Sequence, residues 1–490
     1  MLILLTLLVP LVGGALLGVM RPKSDRLRAW FVEAVVIAPS VLVWTVLLSD
    51  SGEPYVLYHL TDALPLTFRV DGMGRVFAGL VSLLWPIASL YGFEYMKHEE
   101  RENAFFTWYT ISYAATLAIA FAGNLFTLYV FYECLTLVTL PLVIHKKDAA
   151  SIRAGRKYLT YSITGAAFAF IALVVLIALA GTTDFTLGGV VTQALMNERG
   201  GLLLTAFVLA FVGFGTKAAV FPMHAWLPAA SVAPTPVTAL LHAVAVVNAG
   251  AYAVLRLIYY SFGAENLFGT WAQAIVLCLA CFTIVFGSTM AVREQHFKRR
   301  LAWSTISNLS YMLMGAALMT PAGMVGSLSH LIIHGVIKIT LFYCAGAVLV
   351  RTGKEYVQDL RGFGKVMPLT CAAFVVGAVA LTGVPPLSGF VSKWNLLTAA
   401  ADTGLALGTV AVVALIISAV LTAIYLFTAI LPMYGRPLNA ESAALEGFNR
   451  DPGWQMKLPF ILLCAAIVAL GLWSGPLVTF LRSVASGLIQ

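Results

Sequence analysis

Long apolar blocks, separated by short polar or charged connectors, recur from one end of the chain to the other. Blocks of roughly 18 residues or more match what a helix needs to cross a hydrocarbon core of about 30 Å. The pattern predicts helical spans at 2–20, 29–49, 72–92, 104–122, 124–144, 158–180, 202–221, 237–260, 267–292, 301–319, 325–350, 368–400, 406–433 and 458–481, fourteen in all. The short alternating segments of a membrane β-barrel are a different pattern. The expected class is an all-α polytopic membrane protein.

The seventh and twelfth spans carry interruptions. In GTKAAVFPMHAWLP, from 215 to 228, Pro222 follows Lys217 by five residues. In LTGVPPLSGFVSKW, from 381 to 394, Pro385 and Pro386 precede Lys393. Proline removes a backbone donor and blocks the bond to the preceding turn. Within hydrocarbon the freed groups need protein or internal water. Two such breaks, five helices apart, fit an inverted-repeat transporter with its site near the midplane.

Composition excludes a soluble fold: 60% of the 490 residues are hydrophobic and only 11% are charged. The net charge of +8 reflects topology, since 22 of the 30 Lys and Arg lie in odd-numbered loops and five on the even side. The positive-inside rule then places odd loops in the cytoplasm and both termini outside, and no nucleic-acid partner is expected. Met1 has no basic segment after it, which fits a first transmembrane helix better than a cleaved signal. The loop 145–157 (HKKDAASIRAGRK) suits lipid headgroups, the charged 93–103 segment is a solvated loop, and the longest polar stretch is 434–457. Cys278 and Cys281 form a CxxC on one helix without a second pair, which reads as packing. No phosphate loop, haem motif or iron–sulfur spacing occurs, so neither cofactor nor metal is expected in this chain.

The basic residues left inside spans are Lys217, Lys338 and Lys393. With Glu133, His242, His330 and His334 they form the ionisable inventory of the membrane interior. Such residues are costly there and tend to mark ion pathways. Glu133 and Lys217 would stabilise each other's charged forms, and separating them favours the neutral ones. The pair is therefore either a switch or a fixed ion pair. His330, His334 and Lys338 in HLIIHGVIK are spaced by four and share one helical stripe. That column suits a proton relay; metal binding and core packing are the competing readings. His242 either links the two halves or packs between helices. Ser304, Ser307 and Asn308 line a wet cavity or join helices. His224, just past Pro222, is a candidate group at the cytoplasmic mouth.

These segments resemble a known family. GTKAAVFPMHAWLPAASVAPTPVTALLHAVAVVNAGAYAVLR, HFKRRLAWSTISNLSYM, HLIIHGVIKITLFYCAGAV, LTGVPPLSGFVSKW and VDGMGRVFAGLV are similar to the proton-translocating, antiporter-like membrane subunits shared by respiratory complex I, Mrp-type Na+/H+ antiporters and membrane-bound hydrogenases. The resemblance implies fourteen helices, with helices four to eight and nine to thirteen as two inverted five-helix repeats. It matches Glu133 to the fifth-helix glutamate, Lys217 to the seventh-helix lysine and Lys338 to the central lysine. Lys393 matches the terminal lysine or glutamate of the twelfth helix, and His330 and His334 the histidines before the central lysine. Where some members carry an eighth-helix lysine this chain has Asn248; it offers His242 instead. The long lateral helix of the largest subunit type is not expected in a chain ending at Gln490.

The expected division is 1–103 for the first three helices, 104–260 and 261–433 for the repeats, and 434–490 for a loop and the last helix. The expected role is a proton-translocating subunit of a redox-driven complex in a prokaryotic cytoplasmic membrane, its redox chemistry held by other subunits. Its partners would be further membrane subunits, H+ and the lipid bilayer. A Na+/H+ antiporter subunit, with Na+ as a further ion, and a structural subunit with a vestigial polar axis are the alternatives.

Overall fold

A computed structural model describes residues 2–49, 52–436 and 450–487, so much of the expected polar 434–457 stretch lies outside the described residues. Helices α1 (Leu2–Met20) and α2 (Asp25–Ser49) precede a small antiparallel hairpin, β1 (Tyr55–His59) and β2 (Pro65–Phe68), paired Tyr55 to Phe68. Then come α3 (Gly72–Tyr95), α4 (Glu102–Ala120), α5 (Leu125–Val143), α6 (Ala149–Ala180) and α7 (Gln193–Gly215). After a break follow the short α8 (Trp226–Ala229), then α9 (Thr235–Ala243) and α10 (Val246–Arg256), the last continuing as a π-turn over Leu257–Phe262. The second half holds α11 (Ala264–Leu267), α12 (Trp271–Arg293), α13 (Phe297–Ala317), α14 (Pro321–Thr352), α15 (Phe363–Val366), α16 (Pro368–Thr382), α17 (Ser388–Ala401) and α18 (Ala406–Met433). The described chain closes with α19 (Trp454–Leu472) and α20 (Ser474–Ala485).

Eleven of these helical segments are long and apolar enough to cross a membrane. Caps set their starts: Asp71, Asn124, Asp148, Thr192, Thr270 and Thr320 each accept a backbone N–H of the first turn, supplying acceptors for donors that the helix cannot bond. Asp148 starts α6 nine residues before the predicted span, and His296 starts α13 four residues early. At 32 residues, α6 runs about 48 Å and outreaches the hydrocarbon, so its basic first turns stand clear of it.

The structure corrects the sequence reading at three further points. The hairpin was not anticipated, because its strands are short and lie between apolar blocks. The eighth predicted span, 237–260, is broken at Val244 and Ala245. The last, 458–481, is interrupted at Trp473. The stretch Thr235–Phe262 is wholly buried and α14 almost so. Around them α1, α2, α6, α18 and α19 turn leucine, valine and isoleucine side chains outward, as lipid-facing helices do. α10 packs against α5, α7, α13 and α14, and so stands between the two halves of the chain.

Candidate functional site

The break after α7 positions Lys217. Beyond Gly215 the chain turns through Ala219, at φ +55, and the Phe221–Pro222 peptide is cis. The freed backbone finds protein partners: Trp226 Nε1 donates to the Thr216 carbonyl at 2.8 Å, and Phe221 N donates to Thr283 Oγ1 at 3.2 Å. This is the condition for an irregular backbone at membrane depth. Lys217 is fully buried and reaches α5, where its amine donates to the Tyr132 carbonyl and lies 3.3 Å from the Tyr132 ring centre. Glu133 Oε1 is 4.0 Å from the same amine, on a side chain 26% exposed. The expected pair therefore exists, with the carboxylate at the edge of contact. α10 closes over it so tightly that a Cβ on Gly250 would sit 2.5 Å from the Ala218 nitrogen.

His242 lies on α9 just before the unpredicted break, 4.8 Å between ring centres from Phe342 of α14. At the break Asn248 Nδ2 donates to the Ala243 carbonyl at 2.8 Å. Asn248 thus satisfies an acceptor that the kink leaves without its helical partner. His242 makes no hydrogen bond to Lys217 or Lys338; it lies on α9, which packs against α14.

The stripe on α14 is as the spacing predicts. The His330 and His334 rings lie 5.7 Å apart, and His330 Nδ1 meets Ser392 Oγ at 3.0 Å. Lys338, fully buried, donates to the Leu301 carbonyl of α13 at 3.0 Å and to Ser304 Oγ. Asn308 Nδ2 donates to the Ser304 carbonyl at 2.7 Å. Ser307 instead joins helices, meeting Ser288 of α12 at 2.7 Å and Ser418 of α18 at 3.0 Å. Lys393, half-buried, donates to the Thr382 carbonyl at the second break at 3.2 Å and lies 5.3 Å from the Tyr311 ring centre. His224 packs among Phe221, Phe286 and Trp303.

Several buried polar atoms here have no hydrogen-bond partner among the described residues: Glu133 Oε1, His224 Nδ1, both ring nitrogens of His242 and His334, His330 Nε2, and Oδ1 of Asn248 and Asn308.

Among the buried charges that the sequence reading left outside the membrane interior are Arg256, Lys298 and Arg300. Arg256, counted with the even-side residues, is fully buried and pairs through both terminal nitrogens with Asp71, Nη2 to Oδ1 at 2.6 Å. Lys298, counted with the odd-loop residues, is only 6% exposed and donates to the Ala233 carbonyl at 2.8 Å. An acid opening one apolar span and a base closing another was the available hint for the first. The second was hidden by a helix start placed too late.

Residues 122–422 match the family model described as NADH:quinone oxidoreductase/Mrp antiporter, TM. NADH-quinone oxidoreductase subunit N of Desulforudis audaxviator is 30% identical over 474 residues, covering 93% of each chain. Hydrogenase-4 component B of Escherichia coli is 32% identical over 345 residues, covering 67% of this chain and 50% of that one. A chain of the Mrp complex from a Dietzia species superposes with a TM-score of 0.86 at 23% identity, over 99% of this chain and 97% of that one; this likeness is one of fold. The chain belongs to the NADH:quinone oxidoreductase/Mrp antiporter family of membrane subunits, and it is a multi-pass integral membrane protein.

Proposed function

We propose that this family member is a proton-translocating subunit of a multisubunit, redox-driven membrane complex, working beside other membrane subunits. The observation that carries the reading is the fully buried Lys217 amine, set at a helix break, 4.0 Å from Glu133. While the carboxylate stays near, the ammonium is favoured; when a neighbouring subunit draws that charge away, the amine gives up its proton. The orphaned polar atoms around His242, Asn248, Asn308, His334 and His330 support a wet route onward, because buried polar groups are nearly always satisfied by protein or water. A proton released at Lys217 passes through His242 to Lys338, which is held at Leu301 and Ser304. It continues past His334 and His330 and leaves at Lys393. The basic bias of the odd loops supports uptake from the cytoplasm, with both termini on the other side of a prokaryotic cytoplasmic membrane. Electron transfer is assigned to other subunits.

The test is proton transport by the assembled complex in proteoliposomes. Lys217→Ala and Glu133→Ala are expected to abolish or sharply reduce pumping while assembly persists. Full coupled pumping in both variants would defeat the assignment. Proton movement driven by a Na+ gradient, without a redox substrate, would place the chain in a Na+/H+ antiporter instead.

A further inference from the structure

We propose that Lys298 is a second proton-loading site, which supplies His242 and Lys338 from the odd-loop face alongside the protons that arrive by Lys217; this rests on the translocation reading above. Lys298 is the second residue of α13, in a run with Arg299 and Arg300. Arg299 reaches solvent, with its side chain 45% exposed, whereas Lys298 and Arg300 turn inward, Arg300 to the Glu294 and Tyr425 carbonyls and Lys298 to a different partner. Of its three donors one reaches the Ala233 carbonyl. Clamping that carbonyl needs only a neutral donor, and an ammonium there carries a desolvation cost that an amide would not. What a lysine adds is a proton that it can gain and lose.

Two contacts lead inward from this amine. The Ala233 carbonyl also accepts Thr238 Oγ1 at 3.1 Å. Thr238 and His242 are four residues apart on α9 and so share one face, and neither nitrogen of His242 has a protein partner. On α13 itself, Lys298 and Leu301 are three residues apart, about 4.5 Å along the axis. Leu301 supplies the carbonyl that holds Lys338. Lys298 therefore sits one turn outward from the docking point of the central lysine and one carbonyl away from the face that bears His242.

Outward, Lys298 lines a small pocket together with His296, Lys354 and Glu355. His296 Nε2 and Glu355 Oε2 are 3.8 Å apart, and the glutamate side chain is 46% exposed. The Phe297 N–H donates to the Glu355 carbonyl at 2.8 Å, which fixes this loop against the start of α13. A proton taken from water at Glu355 or His296 converts the neutral Lys298 amine to ammonium; passing it to His242 restores the amine, so no other reactant is consumed.

The test uses the intact complex in proteoliposomes and reads the initial rate of proton transport, with assembly checked in parallel. Lys298→Gln keeps a donor for Ala233 but cannot carry a proton. Lys298→Arg keeps donor and charge but does not release its proton. With the Lys298 supply closed while the Lys217–Glu133 switch still drives the cycle, each variant is expected to slow transport about twofold or more. Either variant running at the wild-type rate overturns the proposal and leaves Lys298 as a clamp. If neither variant assembles, Glu355→Gln is read in their place. It should slow transport to a similar degree, and a wild-type rate there overturns the proposal. Lys217→Ala run alongside separates the two readings. Transport lost in Lys217→Ala but intact in Lys298→Gln removes only the second site; transport intact in both removes the translocation reading itself.

Discussion

The Asp71–Arg256 pair offers a prediction whose size can be worked from the structure. Both side chains are out of solvent, at 3% and 0% exposure. Tyr252 Oη accepts Arg256 Nε at 2.9 Å and Nη2 at 2.7 Å, and donates to the Ala120 carbonyl at 2.9 Å. The guanidinium also lies 4.6 Å from the Tyr260 ring centre. Asp71 Oδ1 carries a second duty, accepting Gly74 N at 2.8 Å to cap α3. Arg256→Met leaves a buried carboxylate without its counter-charge, which costs about 3–5 kcal/mol. Asp71→Asn added to it removes that charge while the amide oxygen still caps α3, so the double variant should recover roughly half of the loss. At an unfolding entropy of about 2.1 cal/mol/K per residue, a chain of this length loses roughly 1 °C per kcal/mol. Thermal unfolding of the detergent-solubilised protein, followed by tryptophan fluorescence, should show a midpoint lowered by about 3–5 °C in Arg256→Met and partly restored in the double variant. If the double variant falls by the sum of the single losses, the two charges do not compensate each other and the argument fails.

Two further outcomes follow from local geometry. Gly250→Ala places a Cβ 2.5 Å from the Ala218 nitrogen and 2.9 Å from Lys217 Cβ; backbone cannot yield as a flexible side chain would, so overpacking should cost about 1–3 kcal/mol and push Lys217 off its seat. Wild-type transport together with a wild-type thermal midpoint would refute that contact. His145, beyond the end of α5, is kept below the usual histidine pKa of 6.5, chiefly by burial, with its contact to the Glu100 carbonyl at 2.8 Å working in the opposite direction. Its contribution to stability is full above pH 6.5 and is lost as the pH falls from there through the lowered folded-state value, because the unfolded chain binds the proton first. Unfolding midpoints measured from pH 8 to pH 5 should lose that slope in His145→Asn; an unchanged slope assigns the pH dependence elsewhere.

The helices that cross the membrane were legible because nothing else explains apolar runs of that length, and the breaks at Lys217 and Lys393 because proline announces them. The break at Val244 and Ala245 carries no such mark. Neither residue is proline or glycine, and the sign that it leaves in the chain is Asn248, an amide in an apolar helix that takes the kinked carbonyl. Lys298 was misread for a related reason: a run of three basic residues suggests a loop, yet α13 starts before it, capped by His296, and draws the first and the third of the three inside. Asp71 and Arg256 lie 185 positions apart, and periodicity within a helix says nothing about partners at that distance.

One regularity connects the legible and the hidden residues. Each of the four lysines Lys217, Lys298, Lys338 and Lys393 donates to a backbone carbonyl, those of Tyr132, Ala233, Leu301 and Thr382 in turn. A carbonyl offers a dipole, a weaker counterpart to an ammonium than a carboxylate in contact. A carboxylate in full contact would hold the proton as Asp71 holds the charge of Arg256. Among the described residues, Lys217 is the one of these four with a carboxylate within an ion-pair distance, and that carboxylate stands at the limit of 4.0 Å on a side chain open to its surroundings. On the translocation reading, moving Glu133 is enough to set the charge state of Lys217. Permanent pairing serves the arginine, whose task is to hold helices together; loose docking serves the lysines, whose task on this reading is to let a proton go.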